Sequence, residues 1–100
     1  MTDQNKISQE ETNKKITSIL ARHGAKRISI FGSYARGETK PDSDVDILVE
    51  FSERKSLLDI IGIEQELCEA LGMKVDLLTE KAVSPYVIDK IKNEMVVIYE

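Results

Sequence analysis

Three aspartates stand at positions where carboxylates could bind a divalent cation together. Asp44 and Asp46 open the segment DVDILVEF, and Asp76 interrupts the apolar segment KVDLLT. Alternate side chains of a strand share one face, so Asp44 and Asp46 point the same way. Two carboxylates this close repel each other unless one is protonated or a cation lies between them, and oxygen ligands suit Mg²⁺ or Mn²⁺. The pair therefore indicates a candidate metal site.

Asp76 could complete a set of three carboxylates if its strand lies beside the strand of Asp46. A free carboxylate among Val75, Leu77 and Leu78 would be costly to bury, so it requires a compensating group. Three carboxylates can hold one or two divalent ions, the arrangement that clamps the attacking and leaving oxygens in phosphoryl transfer. The alternatives are a solvated start of a strand for the first pair and a strand edge facing water for Asp76.

A second group of residues, just before the aspartate pair, could bind phosphate. Gly32 lets the backbone come close to a ligand, and Ser33 offers a hydroxyl and amide groups at the start of a short helix. Arg36 could pair with a phosphate or with a carboxylate. The alternatives are an ordinary glycine-serine turn and a surface cation. If these residues bind phosphate, the phosphate site and the metal site lie next to each other.

The sole histidine and the sole cysteine support no other catalytic set. His23 lies in the last turn of the first predicted helix, where a cation suits the helix dipole, so we expect a structural role. One histidine without a partner gives no serine-histidine-aspartate or cysteine-histidine nucleophile. Cys68 alone provides neither a disulfide nor a thiolate metal cluster.

The elements that must position these residues alternate between helix and strand. Capping patterns, left-handed glycine stops and hydrophobic periodicity predict helices from Ser8 to Gly24 and from Ser56 to Gly72, and a third that opens at Ser84 and Pro85. Runs rich in β-branched residues predict strands at 26–31, 45–51 and 74–79 and a closing strand in MVVIY. The pattern predicts an α/β sheet covered by helices, with no information on strand order.

Length and composition favour one small globular unit. We expect residues 1–100 to form a single domain, with residues 1–7 disordered. The net charge of −4 argues against broad electrostatic binding to nucleic acid, which needs a basic surface, and leaves a local basic edge as the alternative; we expect no direct nucleic-acid partner. No run approaches the roughly 18 apolar residues of a membrane helix, and the first residues lack the apolar core of a signal peptide. We therefore expect a cytoplasmic protein without a membrane partner.

The combined motif resembles the signature of the polymerase-beta-type nucleotidyltransferase superfamily. Gly32 and Ser33 are followed by Asp44-Val45-Asp46 and by a later strand aspartate, and the string GSYARGETKPDSDVDILVEF is similar to the minimal nucleotidyltransferases. The resemblance runs from RISIFGS through KVDLLT, and it implies a mixed sheet of about four strands flanked by helices.

The resemblance also implies roles for the motif residues. Asp44, Asp46 and Asp76 would hold two Mg²⁺ ions, and Gly32 and Ser33 would contact the phosphates of ATP. Several minimal nucleotidyltransferases are antitoxins of the MntA type, encoded beside a HEPN-type ribonuclease toxin. They transfer AMP from ATP to a tyrosine of that toxin and so silence it. By this resemblance we expect the same reaction and the same class of partner, encoded nearby.

Three competing interpretations remain open from the sequence. The first is nucleotidyl transfer to the hydroxyl of a small molecule, which is disfavoured because no acceptor domain is visible. The second is an antitoxin that neutralises its partner by binding alone, and the third is a structural domain without an active site. Labelled ATP separates protein transfer from the first two: the label would reach a partner tyrosine or a small molecule, or there would be no transfer despite a tight complex.

Overall fold

The computed structural model describes residues 9–32 and 44–100, and this part of the chain alternates helices and strands as predicted. The predicted start of the first helix at Ser8 and the predicted disorder of residues 1–7 lie outside the described residues. A short 3-10 turn at Glu80–Ala82, which the sequence patterns did not predict, precedes the last helix. The elements in chain order are α1 Gln9–Arg22, β1 Ala25–Phe31, β2 Val45–Phe51, α2 Leu57–Leu71, β3 Val75–Thr79, α3 Pro85–Glu94 and β4 Val96–Tyr99.

The predicted helix signals act at the ends of α2 and α3. Ser56 Oγ accepts a hydrogen bond of 3.1 Å from the backbone N–H of Asp59, and the Asp59 carboxylate accepts one of 3.2 Å from the backbone N–H of Ser56. This reciprocal pair is a capping box. Gly72 ends α2 in the left-handed conformation with φ +67°. Ser84 caps α3 with Pro85 in its first turn, which confirms the predicted start of that helix.

The described strands form one four-stranded mixed sheet in the order β3-β2-β1-β4. β1 pairs antiparallel with both β2 and β4, whereas β2 pairs parallel with β3. A parallel pair needs a crossover connection, and α2 provides it. The predicted mixed sheet of about four strands flanked by helices is therefore confirmed, and the strand order is the part that the sequence did not contain.

The main hydrophobic core lies between one face of the sheet and helices α1 and α2. We call this side the packed face. Its strand residues alternate along the chain with the residues of the other face, as the strand period requires. The buried side chains of this core are Ile16, Ile19, Leu20, Ala25, Ile28, Ile30, Val45, Ile47, Val49, Ile63, Leu67, Leu71, Val75 and Leu77.

The opposite side of the sheet, which we call the α3 face, has a smaller apolar cluster. Leu48 of β2 packs with Ile88 and Ile91 of α3, and partly buried Phe31, Leu78, Val83 and Met95 surround them. The α3 helix thus covers the middle of this face around Leu48. Among the described helices, none is long and apolar enough to cross a membrane.

Candidate active site

The strand register places two of the predicted aspartates side by side on the α3 face. Asp46 of β2 is the direct partner of Asp76 of β3 in the parallel ladder. Their neighbours Val45 and Val75 are buried in the opposite face. The condition on which the sequence prediction depended, that the strand of Asp76 lies beside that of Asp46, is therefore met.

Asp44 lies just before β2. Its charge is close enough to raise the pKa of Asp46. Within residues 9–32 and 44–100, however, no three histidine, cysteine or carboxylate side chains converge closely enough to hold one ion together. The structure thus pairs Asp46 with Asp76, and the set of three ligands that includes Asp44 stays a prediction.

The Asp46 carboxyl is strongly perturbed by its surroundings. Its pKa rises from 3.8 to about 6, first because the group is partly buried and then because of the Asp76 charge, a hydrogen bond with the Asp76 side chain and the Asp44 charge. Each cause disfavours a second negative charge at this position. A divalent cation would relieve the same repulsion, and the donors are all oxygens, so these residues fit Mg²⁺ or Mn²⁺.

Gly32 lies directly against the Asp46 carboxylate. It follows Phe31, the β1 residue that pairs with Asp46, and it has φ +80°. A Cβ atom at this position would collide with Asp46 Oδ2 and lie 3.4 Å from Asp46 Cγ. The sequence predicted that Gly32 makes room for a ligand. In the structure, the absence of a Cβ makes room for a carboxylate that is itself a predicted metal ligand.

The other predicted phosphate-binding residues, Ser33 and Arg36, lie outside the described residues. His23 lies on the packed-face side, where its Nε2 is 2.9 Å from Glu66 Oε1 of α2. Arg22 Nη2 donates to Glu66 Oε2 at 2.8 Å. The histidine bond, more than any other contact, holds the pKa of Glu66 below its usual value. These contacts tie α1 to α2, which agrees with the expected structural role of His23.

Sequence patterns did not single out one further contact beside the aspartate pair. Glu64 of α2 accepts a hydrogen bond of 2.9 Å at Oε2 from the backbone N–H of Leu77, the residue after Asp76. No local signal in the sequence could have found it, because it depends on how α2 lies against the outer edge of β3.

The chain is similar to a known protein family and to protein adenylyltransferases. The nucleotidyltransferase domain family matches residues 13–98, a range that contains all three aspartates. A candidate protein adenylyltransferase of Methanocaldococcus jannaschii is 56% identical over 86 residues, which cover 86% of this chain and 92% of the relative. The protein adenylyltransferase MntA of Thermococcus cleftensis is 42% identical over 93 residues, covering 85% of this chain and 94% of the relative.

A solved structure shares the fold. A chain of a toxin-antitoxin crystal structure with AMP-PNP superposes with a TM-score of 0.80 and 25% sequence identity. The alignment covers 87% of this chain and 72% of that one. The mixed sheet and its helices are therefore arranged as in a protein that was crystallised in a toxin-antitoxin pair with an ATP analogue.

Proposed function

Because the chain belongs to the nucleotidyltransferase domain family, we propose that it is an antitoxin that transfers AMP from ATP to a tyrosine of a HEPN-type ribonuclease toxin. Diphosphate leaves, and the modified toxin is silenced. The observation that carries the proposal is the pairing of Asp46 with Asp76 in adjacent strands, inside the region that the family matches. The names of the similar proteins support the choice of AMP as the group transferred and of a protein as the acceptor.

The likeness to the toxin-antitoxin structure with AMP-PNP supports the proposed partner and nucleotide. That structure is of a toxin-antitoxin with AMP-PNP, which is an analogue of ATP. We infer by analogy that this chain binds ATP and a toxin encoded nearby. Because such a reaction would use cellular ATP and protect the cell from a ribonuclease, we also propose a cytoplasmic location.

Asp44, Asp46 and Asp76 are the proposed ligands of two Mg²⁺ ions. When bound, magnesium would offset the charge of the triphosphate and make the acceptor hydroxyl a better nucleophile. The carboxylates orient the reacting groups, and Asp76 takes up the phenolic proton. The tyrosine oxygen forms a bond to the α-phosphorus as the bond to the bridging oxygen of the β-phosphate breaks.

Gly32, Ser33 and Arg36 are the proposed phosphate contacts. Gly32 also leaves room for the Asp46 carboxylate, because a Cβ at this position would collide with Oδ2 of Asp46. We propose that residues 1–100 form one nucleotidyltransferase domain and that the toxin presents the acceptor tyrosine to the aspartates.

The test is to incubate the purified chain with the HEPN-type protein encoded beside it, ATP and Mg²⁺, and to measure the intact mass of both proteins. The proposal predicts that the partner gains whole AMP units. Asp44→Asn and Asp46→Asn should abolish the gain while leaving the fold intact. Asp89→Asn, which removes an exposed carboxylate from α3, is the matched control and should transfer AMP normally.

The same experiment separates the alternatives. A tight complex with no mass gain under any condition would favour an antitoxin that acts by binding alone. AMP found on an added small molecule and not on the partner would favour the other transferase. Full activity of Asp46→Asn would contradict the mechanism.

A further inference from the structure

The strand that contains Asp76 is at the edge of the sheet. In the order β3-β2-β1-β4, β3 pairs on one side with β2 and has no strand among the described residues on the other. An edge strand presents unpaired backbone groups on its outer side. Among the strands, only β2 therefore holds the backbone of Asp76 in position relative to Asp46.

The hydrogen-bond pattern tells which backbone groups of β3 point outward. The Val45 N–H donates to the Lys74 carbonyl at 3.0 Å, which fixes the phase of the parallel ladder. In a parallel pair, successive N–H groups of one strand point alternately toward and away from the neighbour. The Asp76 N–H thus points toward β2, and the Leu77 N–H points to the outer edge.

Glu64 supplies the partner for that outward group. Its Oε2 accepts from the Leu77 N–H at 2.9 Å in a partly buried setting. Glu64 lies next to Ile63 on α2, and Ile63 and Leu67 are buried in the core of the packed face. The carboxylate is thus held by a helix whose position is fixed by packing. A hydrogen bond to an ionised acceptor is among the stronger ones in proteins.

The backbone around Asp76 is consequently held from both sides. Leu77 is buried on the packed face at 5% exposure, and its amide is tied to α2, while the ladder to β2 holds the other edge. Asp76 directly precedes Leu77, so its side chain lies on the opposite face of the sheet. The backbone that carries it is restrained on both sides of the strand. This arrangement fixes the distance between the Asp46 and Asp76 carboxylates.

We propose that Glu64 is a positioning residue for the cation site: by accepting the Leu77 N–H it holds Asp76 beside Asp46 in the arrangement that binds a divalent ion. The part of this inference that concerns the cation rests on the proposed function. Outer contacts that orient metal ligands typically contribute tenfold or more to metal affinity.

The test uses Mn²⁺ alone, whose binding can be followed by electron paramagnetic resonance without any toxin or ATP. In Glu64→Ala we expect the Mn²⁺ dissociation constant to rise about tenfold. Exchange of the Leu77 amide proton should speed up by a similar factor of about ten. Glu64→Gln keeps an oxygen acceptor, so it should restore most of both properties. Glu69→Ala removes an exposed carboxylate from the same helix and should change neither.

Several outcomes would overturn the inference. These are an unchanged Mn²⁺ affinity in folded Glu64→Ala, a Glu64→Gln variant as impaired as the alanine variant, or an equal loss in Glu69→Ala. If Glu64→Ala does not fold, Glu64→Met, which keeps the stem of the side chain, takes its place. If neither folds, the wild-type protein decides: a Leu77 amide that exchanges as fast as an unpaired edge amide contradicts the proposal.

The Asp46→Asn variant distinguishes this failure from failure of the proposed function. If Asp46→Asn weakens Mn²⁺ binding and Glu64→Ala does not, only the role of Glu64 is wrong. If neither variant affects Mn²⁺ binding, the cation site itself is wrong.

Discussion

The two faces of the sheet are built from alternate residues of the same strands, yet they differ in what they contribute. On the packed face, the buried side chains of β2 and β3 are all apolar, namely Val45, Ile47, Val49, Val75 and Leu77. On the α3 face, the intervening positions include Asp46 and Asp76, and α3 covers the apolar middle of that face. A single strand thus contributes to stability with the side chains of one face and to a chemical site with those of the other.

The two faces also differ in the ionisable groups that their strands carry. The packed face buries no ionisable group from β2 or β3. On the α3 face, Asp46 lies beside Asp76, and the pKa of the Asp46 carboxyl is raised to about 6. Perturbed carboxyls of this kind are concentrated at functional sites. Substitutions on the two faces should therefore have opposite consequences, and neighbouring positions of β2 offer the sharpest comparison.

The largest expected effect is on transfer activity. Asp46→Asn should lower the rate of AMP transfer by about a hundredfold or more, because it removes a metal ligand at nearly constant shape. Its far-UV circular dichroism should match that of the wild type. The rate is measured with saturating Mg²⁺ and ATP, and an unimpaired rate would remove the distinction between the faces.

The adjacent position should show the reverse. Ile47 is fully buried in the packed face. Ile47→Ala should lower the free energy of unfolding by about 3 kcal/mol through lost burial and a cavity. The fraction that remains folded should transfer AMP at close to the normal rate. Urea titration gives the stability, and a loss of activity beyond the loss of folded protein would argue against the separation of roles.

Substitution of Gly32 should affect both the rate of AMP transfer and the free energy of unfolding, because Gly32 lies directly against the Asp46 carboxylate. Gly32→Ala should cost roughly 2 kcal/mol, since the alanine needs φ +80° and its Cβ collides with Asp46. Gly72 is the matched control, with φ +67° and nothing within 4 Å of the added Cβ. Gly72→Ala should cost about 1 kcal/mol from backbone strain alone.

The collision in Gly32→Ala can be isolated with a double-mutant cycle. In the background of Asp46→Ala, the cost of Gly32→Ala should fall toward that of Gly72→Ala, because the carboxylate is no longer there. Purely additive costs would show that Gly32 and Asp46 do not contact each other.

The smallest expected effect is a change in how stability depends on pH. Without added metal, the folded protein retains a proton on Asp46 between pH 3.8 and about 6 that the unfolded chain has lost. The contribution of this group to stability therefore falls as the pH rises through that window. Because Asp46 is only partly buried, solvent screening should keep the change below about 1 kcal/mol.

Asp46→Asn should remove this slope and raise the melting temperature of the metal-free protein above pH 6. Melting curves from pH 4 to pH 8 in the presence of a chelator provide the measurement. A variant that melts below the wild type at pH 7 would contradict the raised pKa.

Local signals in the sequence were sufficient to predict the α-helices and the strands, although not the 3-10 turn at Glu80–Ala82. Ser56, Gly72 and Pro85 act through contacts or dihedral angles within a few residues, so their patterns predicted the helix ends correctly. The alternation of Asp46 with its buried neighbours likewise follows from the strand period alone.

Nonlocal features could not be predicted in this way. The sheet order depends on the packing of whole elements, and the pairing of Asp46 with Asp76 was therefore only a conditional prediction. The collision that requires glycine at position 32 involves the side chain of Asp46, and the bond from Glu64 to the Leu77 amide joins a helix to a strand edge. In both cases the relevant partner is distant in the sequence.

The most direct test of the central claim uses ATP labelled at two positions in parallel reactions with the toxin. If the aspartates of the α3 face support nucleotidyl transfer, label at the α-phosphate should appear on a toxin tyrosine, and label at the γ-phosphate should leave in diphosphate. Transfer should require a divalent cation and should be lost in Asp46→Asn. Transfer of the γ-label, or no transfer of either label by folded protein bound to its toxin, would contradict the account.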